Sequence, residues 1–225
     1  MPASSGRDCV VFDLDDTLLH GDSGARLIRH LIERIWWRRV LAVLIAPIGI
    51  LLMRFDASFA IGASLFLWVA TVGMTETTMT DAVKTFARTH APARIEVSIA
   101  ALQAELDAGN DVIVATGAFQ ALAECLIAQL QLRGRPRVVG SLIGRRAGGF
   151  VAAMPARGKF KMIRLARLGV HPPFARAWSD SALDLPLLRA AEQAHWVTRY
   201  PKVPRRVQQA LPNLIVHRID NECAA

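Results

Sequence analysis

The sequence predicts an α/β fold: a parallel sheet with helices on both faces, plus a small and strongly apolar helical insert after the first strand. Three observations carry this. From Asp111 onward, short β-branched runs alternate with segments of helical periodicity. Several of those runs end in polar residues, as strands do where a parallel sheet binds ligands at its carboxyl edge. The 225 residues suffice for one such core and a smaller accessory unit.

The first strand is expected from Asp8 to Leu14, where Cys-Val-Val-Phe ends in acids and delivers Asp13 and Asp15. Helical periodicity begins near Ser23 and runs through Ile35. It then passes Trp36-Trp37-Arg38-Arg39 into an uncharged run, Val40 to Met53, which Pro47 and Gly49 are expected to interrupt. A second apolar helix follows Asp56, within the uncharged run Ala57 to Thr75. A third starts near Thr75 or Thr78, whose hydroxyls can cap free amides, and continues through Phe86 towards His90. These three helices make the insert, residues 21–90, leaving 1–20 and 91–225 as the core.

Past Pro92, a helix is expected from Ile95 to Ala108, stopped by Gly109-Asn110. A strand from Asp111 to Ala115 ends in Thr116-Gly117, and a helix from Phe119 to Leu132 precedes Gly134. Val138 to Leu142 reads as a strand, Lys159 to Leu168 as a helix ended by Gly169, Phe174 to Trp178 as a strand and Leu183 to Ala190 as a short helix. His195 to Thr198 and Leu214 to His217 complete the sheet.

Hydrophobic residues make up 52% and charged residues 20% of the chain, which excludes long disordered stretches. The net charge of +8 points to an anionic partner: a membrane surface, a nucleic acid or a phosphorylated substrate. No Asp or Glu occurs between Glu124 and Asp180, a stretch rich in Arg and Lys, so one basic face is expected. Nucleic acid is not expected, because Phe150 and Phe160 are the sole aromatics among the basic residues from Arg133 to Arg167 and no nucleic-acid module is recognisable. Cys9, Cys125 and Cys223 lack the spacing of a zinc site or a disulfide framework, which implies a reducing, cytoplasmic-side environment. The first residues lack the pattern of a secretory signal.

Four polar clusters fall at expected strand ends or at a helix start: Asp13-Leu14-Asp15-Asp16-Thr17, Thr116-Gly117, Lys161, and Asp180-Ser181-Ala182-Leu183-Asp184. Such a set suits an attack on a phosphate monoester, whose charge must be offset by a metal, a cation and hydrogen-bond donors before a carboxylate can approach. Asp13 can attack while Asp15, two residues on, protonates the leaving alcohol and then deprotonates water. Thr116 and the Gly117 amide can hold phosphate oxygens, and Lys161 can neutralise them. Asp13 and Asp180 offer oxygen ligands for Mg²⁺, with Asp184 orienting that shell.

At these residues the sequence resembles the haloacid dehalogenase-like hydrolases, whose signature is Asp-x-Asp-x-Thr, a strand-ending Thr or Ser, a Lys and a paired-Asp segment. The stretch from Trp178 to Leu188 is similar to the phosphoserine-phosphatase-type branch, and the resemblance spans Val10 to Thr198. It implies a Rossmann-like core with a cap formed by the insert, and a phosphatase acting through an aspartyl-phosphate. It implies Asp13 as nucleophile, Asp15 as acid/base and main-chain metal ligand, Thr116 at the phosphate, Lys161 as the stabilising cation and Asp180 as metal ligand. Lys159 competes for the lysine role, but Lys161-Met-Ile-Arg-Leu165 fits the branch's Lys-x-x-x-Leu spacing better. Asp16 stands where many members have Gly.

The greasiness of the insert is similar to that of phosphatidylglycerophosphatase C enzymes. It lacks the polar stripe of a soluble helical cap, and Trp36-Trp37-Arg38-Arg39 resembles an interfacial anchor. The expectation is therefore a Mg²⁺-dependent phosphatase on the cytoplasmic side of a membrane, peripheral or held by its cap. Its partners would be an anionic lipid surface and a lipid-borne phosphate such as phosphatidylglycerophosphate. The competing readings are a soluble small-metabolite phosphatase of the phosphoserine type and a catalytically silent anion-binding protein. Oligomeric state is not legible.

Overall fold

The computed structural model describes residues 8–219; Cys223 lies outside them, and Cys9 and Cys125 are free thiols. A seven-stranded sheet runs through the molecule in the order β4-β3-β2-β1-β5-β6-β7. The strands are β1 (Cys9–Phe12), β2 (Asp111–Phe119), β3 (Arg137–Arg146), β4 (Gly149–Met154), β5 (Phe174–Ser179), β6 (Ala191–Thr198) and β7 (Ile215–Arg218). All neighbours are parallel except β3 and β4. Central β1 is apolar on both faces because both are covered: Val10, Val11 and Phe12 are fully buried. Val10 and Phe12 join one core layer with Trp178 and Val114; Val11 joins the other with Ile113 and Ala177.

The expected α/β class holds, and several elements differ from expectation. The antiparallel β4 went unread. Ala147 and Gly148, both at positive φ (47° and 79°), turn the chain from β3 into it, and this Ala-Gly-Gly signal is the one that could have been used. β3 accordingly runs to Arg146 rather than ending at Leu142, and β6 begins at Ala191 rather than His195. Helix α6 (Gln120–Ala128) starts later and stops earlier than expected, since β2 extends to Phe119. The segment after Asp180 is a 3-10 turn (Ala182–Asp184) followed by α8 (Leu185–Arg189), and α9 (Arg205–Ala210) is an element that helical periodicity did not reveal.

Between β1 and β2 lie α1 (Ser23–Glu33), α2 (Trp36–Met53), α3 (Phe59–Thr71), α4 (Glu76–Thr89) and α5 (Glu96–Asp107). The chain leaves the sheet and returns at adjacent points: the His20 amide donates to the Ala93 carbonyl at 2.9 Å and the Ile95 amide to the Leu18 carbonyl at 2.9 Å. Four helices, not three, separate these crossings, because the expected continuous first helix breaks at Arg34–Ile35. Conversely, Pro47 does not end α2. Pro47 and Val43, whose carbonyl loses its helical donor, both lie on the exposed side, so no buried acceptor is orphaned.

The two apolar runs, alike in sequence, have different fates. α3 is gripped by the β3–β4 hairpin. Ser64 and Thr71 accept from the Ala152 and Phe150 amides at 3.0 and 2.9 Å, satisfying the outer edge of β4, and the Trp68 indole donates to the Ala147 carbonyl at 3.0 Å. Leu67, Val69 and Ala70 are buried there. α2 instead packs on α3 by one edge, where a Cβ on Gly62 would stand 2.6 Å from the Gly49 carbonyl oxygen, and leaves the rest outward. Only 11% of α2 is buried, and Val43, Leu44, Ile48 and Leu51 are 60–72% exposed. By length and composition α2 is long and apolar enough to cross a membrane. The expected four-residue anchor does not hold as a unit: Trp36 is 75% exposed, but Arg38 turns inward and donates to the Val72 and Leu31 carbonyls at 2.9 and 3.5 Å, serving two helix ends.

Candidate active site

The carboxyl edge of the sheet gathers the four polar clusters. β1 stops at Phe12, and the Asp13 amide still donates to the Trp178 carbonyl at 2.9 Å, so Asp13 is anchored where the ladder ends. The chain then turns sharply, with Asp16 at φ 52°, a conformation that Asp tolerates better than most residues. The Asp16 carboxylate accepts from the Gly21 amide at 2.8 Å and pairs with Arg199. Asp15 accepts from the Ser23 amide at 3.1 Å, at the start of α1. Thr17 is fully buried; its hydroxyl donates to the Asp180 carboxylate at 3.3 Å and accepts from the Asp180 amide at 3.1 Å, joining the loops after β1 and β5.

Thr116 is fully buried near the end of β2, with its hydroxyl accepting from the Ala118 amide at 3.0 Å. Ser141 on β3 holds the next turn, donating to the Gly117 carbonyl at 2.8 Å. From α7 (Lys159–Ala166), Lys161 reaches inward, 2% exposed, and its ammonium donates to Asp13 at 2.9 Å and Asp184 at 2.5 Å. Asp184 also accepts from the Ser179 hydroxyl at 2.9 Å. Lys159, two residues earlier, is exposed, with its ammonium 5.4 Å from the centroid of the Phe160 ring. Geometry therefore separates the two lysines, and it places Asp184 on Lys161 and Ser179. Asp13, Asp15, Thr116, Gly117, Lys161, Asp180 and Asp184 all line one cavity of about 740 Å³.

The electrostatics are unbalanced. Burial pushes Asp13 up to about 6, against the lowering pull of Lys161. Burial raises Asp15 to about 7, with Asp13 adding to the shift. Asp180 is likewise raised to about 7 by burial and by repulsion from Asp13 and Asp16. Burial opposes the charge on Lys161, but Asp13 and Asp184 outweigh it and hold the ammonium above its ordinary value. Among the described residues no three His, Cys, Asp or Glu side chains form a ready metal cage. The Asp13 and Asp180 carboxylates line the same cavity, and such oxygen donors suit a hard cation such as Mg²⁺. Sequence reasoning missed the tying roles of Ser141, Ser179 and Ser23: the first is a contact between neighbouring strands that no spacing reports, and the other two are made within loops of irregular backbone, five and eight residues from their partners.

A carboxylate-rich cavity thus lies at the carboxyl edge of a parallel sheet, covered by helices inserted after the first strand, and the chain is of the hydrolase class. Residues 10–189 match the haloacid dehalogenase-like hydrolases, and the chain belongs to that family. Its fold is shared with a protein of unknown function from Bordetella pertussis Tohama I, at 19% identity and a TM-score of 0.71 over 94% of this chain and 98% of that one. It is also similar to a substrate-bound phosphoserine phosphatase, at 12% identity and a TM-score of 0.57 over 93% and 92% of the chains. A phosphoserine phosphohydrolase-like protein from Francisella tularensis subsp. tularensis SCHU S4 matches at 14% identity and 0.59, covering 94% and 95%.

Proposed function

We propose that this hydrolase is a Mg²⁺-dependent phosphomonoesterase that works through an aspartyl-phosphate on Asp13 and acts on a phosphate carried by a membrane lipid. The observation that carries the chemistry is the buried Lys161 ammonium shared between Asp13 and Asp184, beside an Asp15 raised to about 7. Lys161 holds Asp13 in place and offers its remaining donor capacity to phosphate oxygens, with Thr116 and the Gly117 amide on the same wall. An Asp13 oxygen forms the new bond to phosphorus as the bond to the leaving oxygen breaks, and Asp15 gives that oxygen its proton. Water then attacks the phosphoaspartate, Asp15 takes its proton, and the bond to Asp13 breaks to release phosphate. An acid/base needs a pKa near the working pH to perform both transfers, and burial moves Asp15 there. Mg²⁺, held by Asp13, Asp180 and the Asp15 main-chain carbonyl, would screen the phosphate's charge.

The outward face of α2 supports the lipid reading. A contiguous surface that includes Val43, Leu44, Ile48 and Leu51 costs free energy in water at about 25 cal/mol per Å² of apolar area, and a bilayer removes that cost. Phosphatidylglycerophosphate is the leading candidate. A soluble phosphoserine-type metabolite is the second reading, favoured by the similarity in fold to phosphoserine phosphatases. Turnover of p-nitrophenyl phosphate with and without Mg²⁺ tests the chemistry; no turnover would leave an anion-binding relative. A panel of phosphatidylglycerophosphate and phosphatidic acid in vesicles, against phosphoserine in solution, decides the substrate, and an enzyme that ignores both lipids overturns the lipid reading.

A further inference from the structure

The active-site cavity continues beneath the insert, where its wall is apolar: Ile28, Ile32, Ile50, Met53, Phe59 and Phe66. Two cations face this space, Arg29 and Arg157, and neither pairs with a carboxylate among the described residues. The Lys161 charge, by contrast, is already shared by two carboxylates.

Arg157 is built into place. Ser141 accepts from the Ala156 amide at 2.9 Å while donating to the Gly117 carbonyl at 2.8 Å, which seats the chain before Arg157 against the Thr116-Gly117 turn. The Arg157 stem lies 3.6–3.9 Å from where a Cβ on Gly117 would stand. Its guanidinium carbon lies 3.9 Å from the ring centroid of Phe59, the first residue of α3. Stacking on an aromatic face fixes the guanidinium plane and leaves its N–H edge free for a bidentate anion. The side chain thus leads from the phosphate end of the cavity towards the insert. Asp15, which protonates the leaving oxygen under the proposed chemistry, lines the same cavity as Arg157, so the leaving alcohol enters the space that Arg157 borders.

We infer that Arg157 determines specificity by binding a second anionic group on the leaving alcohol, a phosphodiester or a carboxylate, beside the phosphate that is hydrolysed. This rests on the phosphomonoesterase reading above. Arg157 is exposed at the mouth of this cavity, where water serves its guanidinium until a substrate anion takes that place. It also separates candidate lipids, since phosphatidylglycerophosphate carries a phosphodiester in its leaving group and phosphatidic acid carries none.

The test compares wild type, Arg157→Gln and Arg157→Lys on four substrates. Short-chain phosphatidylglycerophosphate carries the phosphodiester, phosphoserine the carboxylate, and short-chain phosphatidic acid and p-nitrophenyl phosphate neither. The expected result is a fall of about tenfold in kcat/KM for an anion-bearing substrate relative to phosphatidic acid in Arg157→Gln, carried by KM, with partial recovery in Arg157→Lys. Whether the phosphodiester or the carboxylate responds identifies the anion. An unchanged preference, whether all four activities fall together or none does, overturns the inference and leaves the phosphomonoesterase reading standing. Binding of glycerophosphoglycerol by titration calorimetry needs no turnover, so it separates the two readings should no monoester be hydrolysed. In that arm, with phosphoserine titrated alongside, weakening of at least fivefold in Arg157→Gln for either ligand supports the anion site, and equal binding of both by wild type and variant overturns the proposal.

Discussion

Lys161→Met removes the one ammonium between Asp13 and Asp184 while keeping the side chain's apolar length. Lys161 is 2% exposed and both partners are nearly as buried, so solvent cannot replace the lost charge. Removing one partner from such a buried pair costs about 3–5 kcal/mol. We take the lower end, about 3 kcal/mol, because Asp13 can relieve the strain by binding a proton. For a chain of this size that corresponds to a Tm lower by roughly 6–12 °C. The pH dependence follows from the sign of the shift. Asp13 already stands at about 6, above the ordinary value of 3.8, through burial. Loss of Lys161 raises it further. A carboxylate whose folded pKa lies above its unfolded value stabilises the fold at low pH and loses that contribution as pH rises through the folded value. The deficit should therefore be smaller at pH 5 than at pH 8, the loss of the Lys161 contact with Asp184 remaining at both. Thermal melts by circular dichroism in EDTA, at both pH values, measure it, with exposed Lys159→Met as a control expected to stay within about 0.5 kcal/mol of wild type. A Tm drop under about 2 °C at pH 8, or equal drops at both pH values, would refute the reasoning.

Asp13→Asn should fold and lose turnover by about 10³-fold or more, because an amide is a poor nucleophile towards phosphorus; p-nitrophenyl phosphate kinetics within about tenfold of wild type would sink the covalent route. In EDTA, wild-type Tm should fall between pH 4 and pH 7 as Asp13, Asp15 and Asp180, raised to about 6, 7 and 7, ionise in a buried site. Mg²⁺ should restore more stability at pH 7.5 than at pH 5, since binding must displace those protons; a flat Mg²⁺ effect across this range would remove the metal from the site. Leu44→Glu with Ile48→Glu, both on the outward face of α2, should abolish sedimentation with anionic vesicles and cut lipid turnover at least tenfold relative to p-nitrophenyl phosphate; unchanged vesicle binding in a folded variant would favour the soluble substrate.

The sheet was legible in the sequence because a parallel strand buried on both faces writes itself as a continuous β-branched run, as Cys9 to Phe12 does. Asp13 and Thr116 were legible because each follows such a run where the chain emerges from the sheet's carboxyl edge, and Asp180 because it follows the strand Phe174–Ser179 and is paired with Asp184. Spacing ranked Lys161 above Lys159; the structure puts Lys161 between two carboxylates because α7 turns that face inward. What the sequence could not express was partnership across the chain. Leu44 and Leu67 sit in equally greasy runs, yet Leu67 is 1% exposed against the β3–β4 hairpin and Leu44 is 69% exposed. Hydrophobicity is a property of a residue, whereas burial depends on whether another element arrives to cover it, and the hairpin arrives at α3 alone. Arg38 and Arg157 make the same point for charge. One arginine is spent on helix-end carbonyls 7 and 34 residues away, and the other stands free over Phe59, a difference that tertiary packing alone decides.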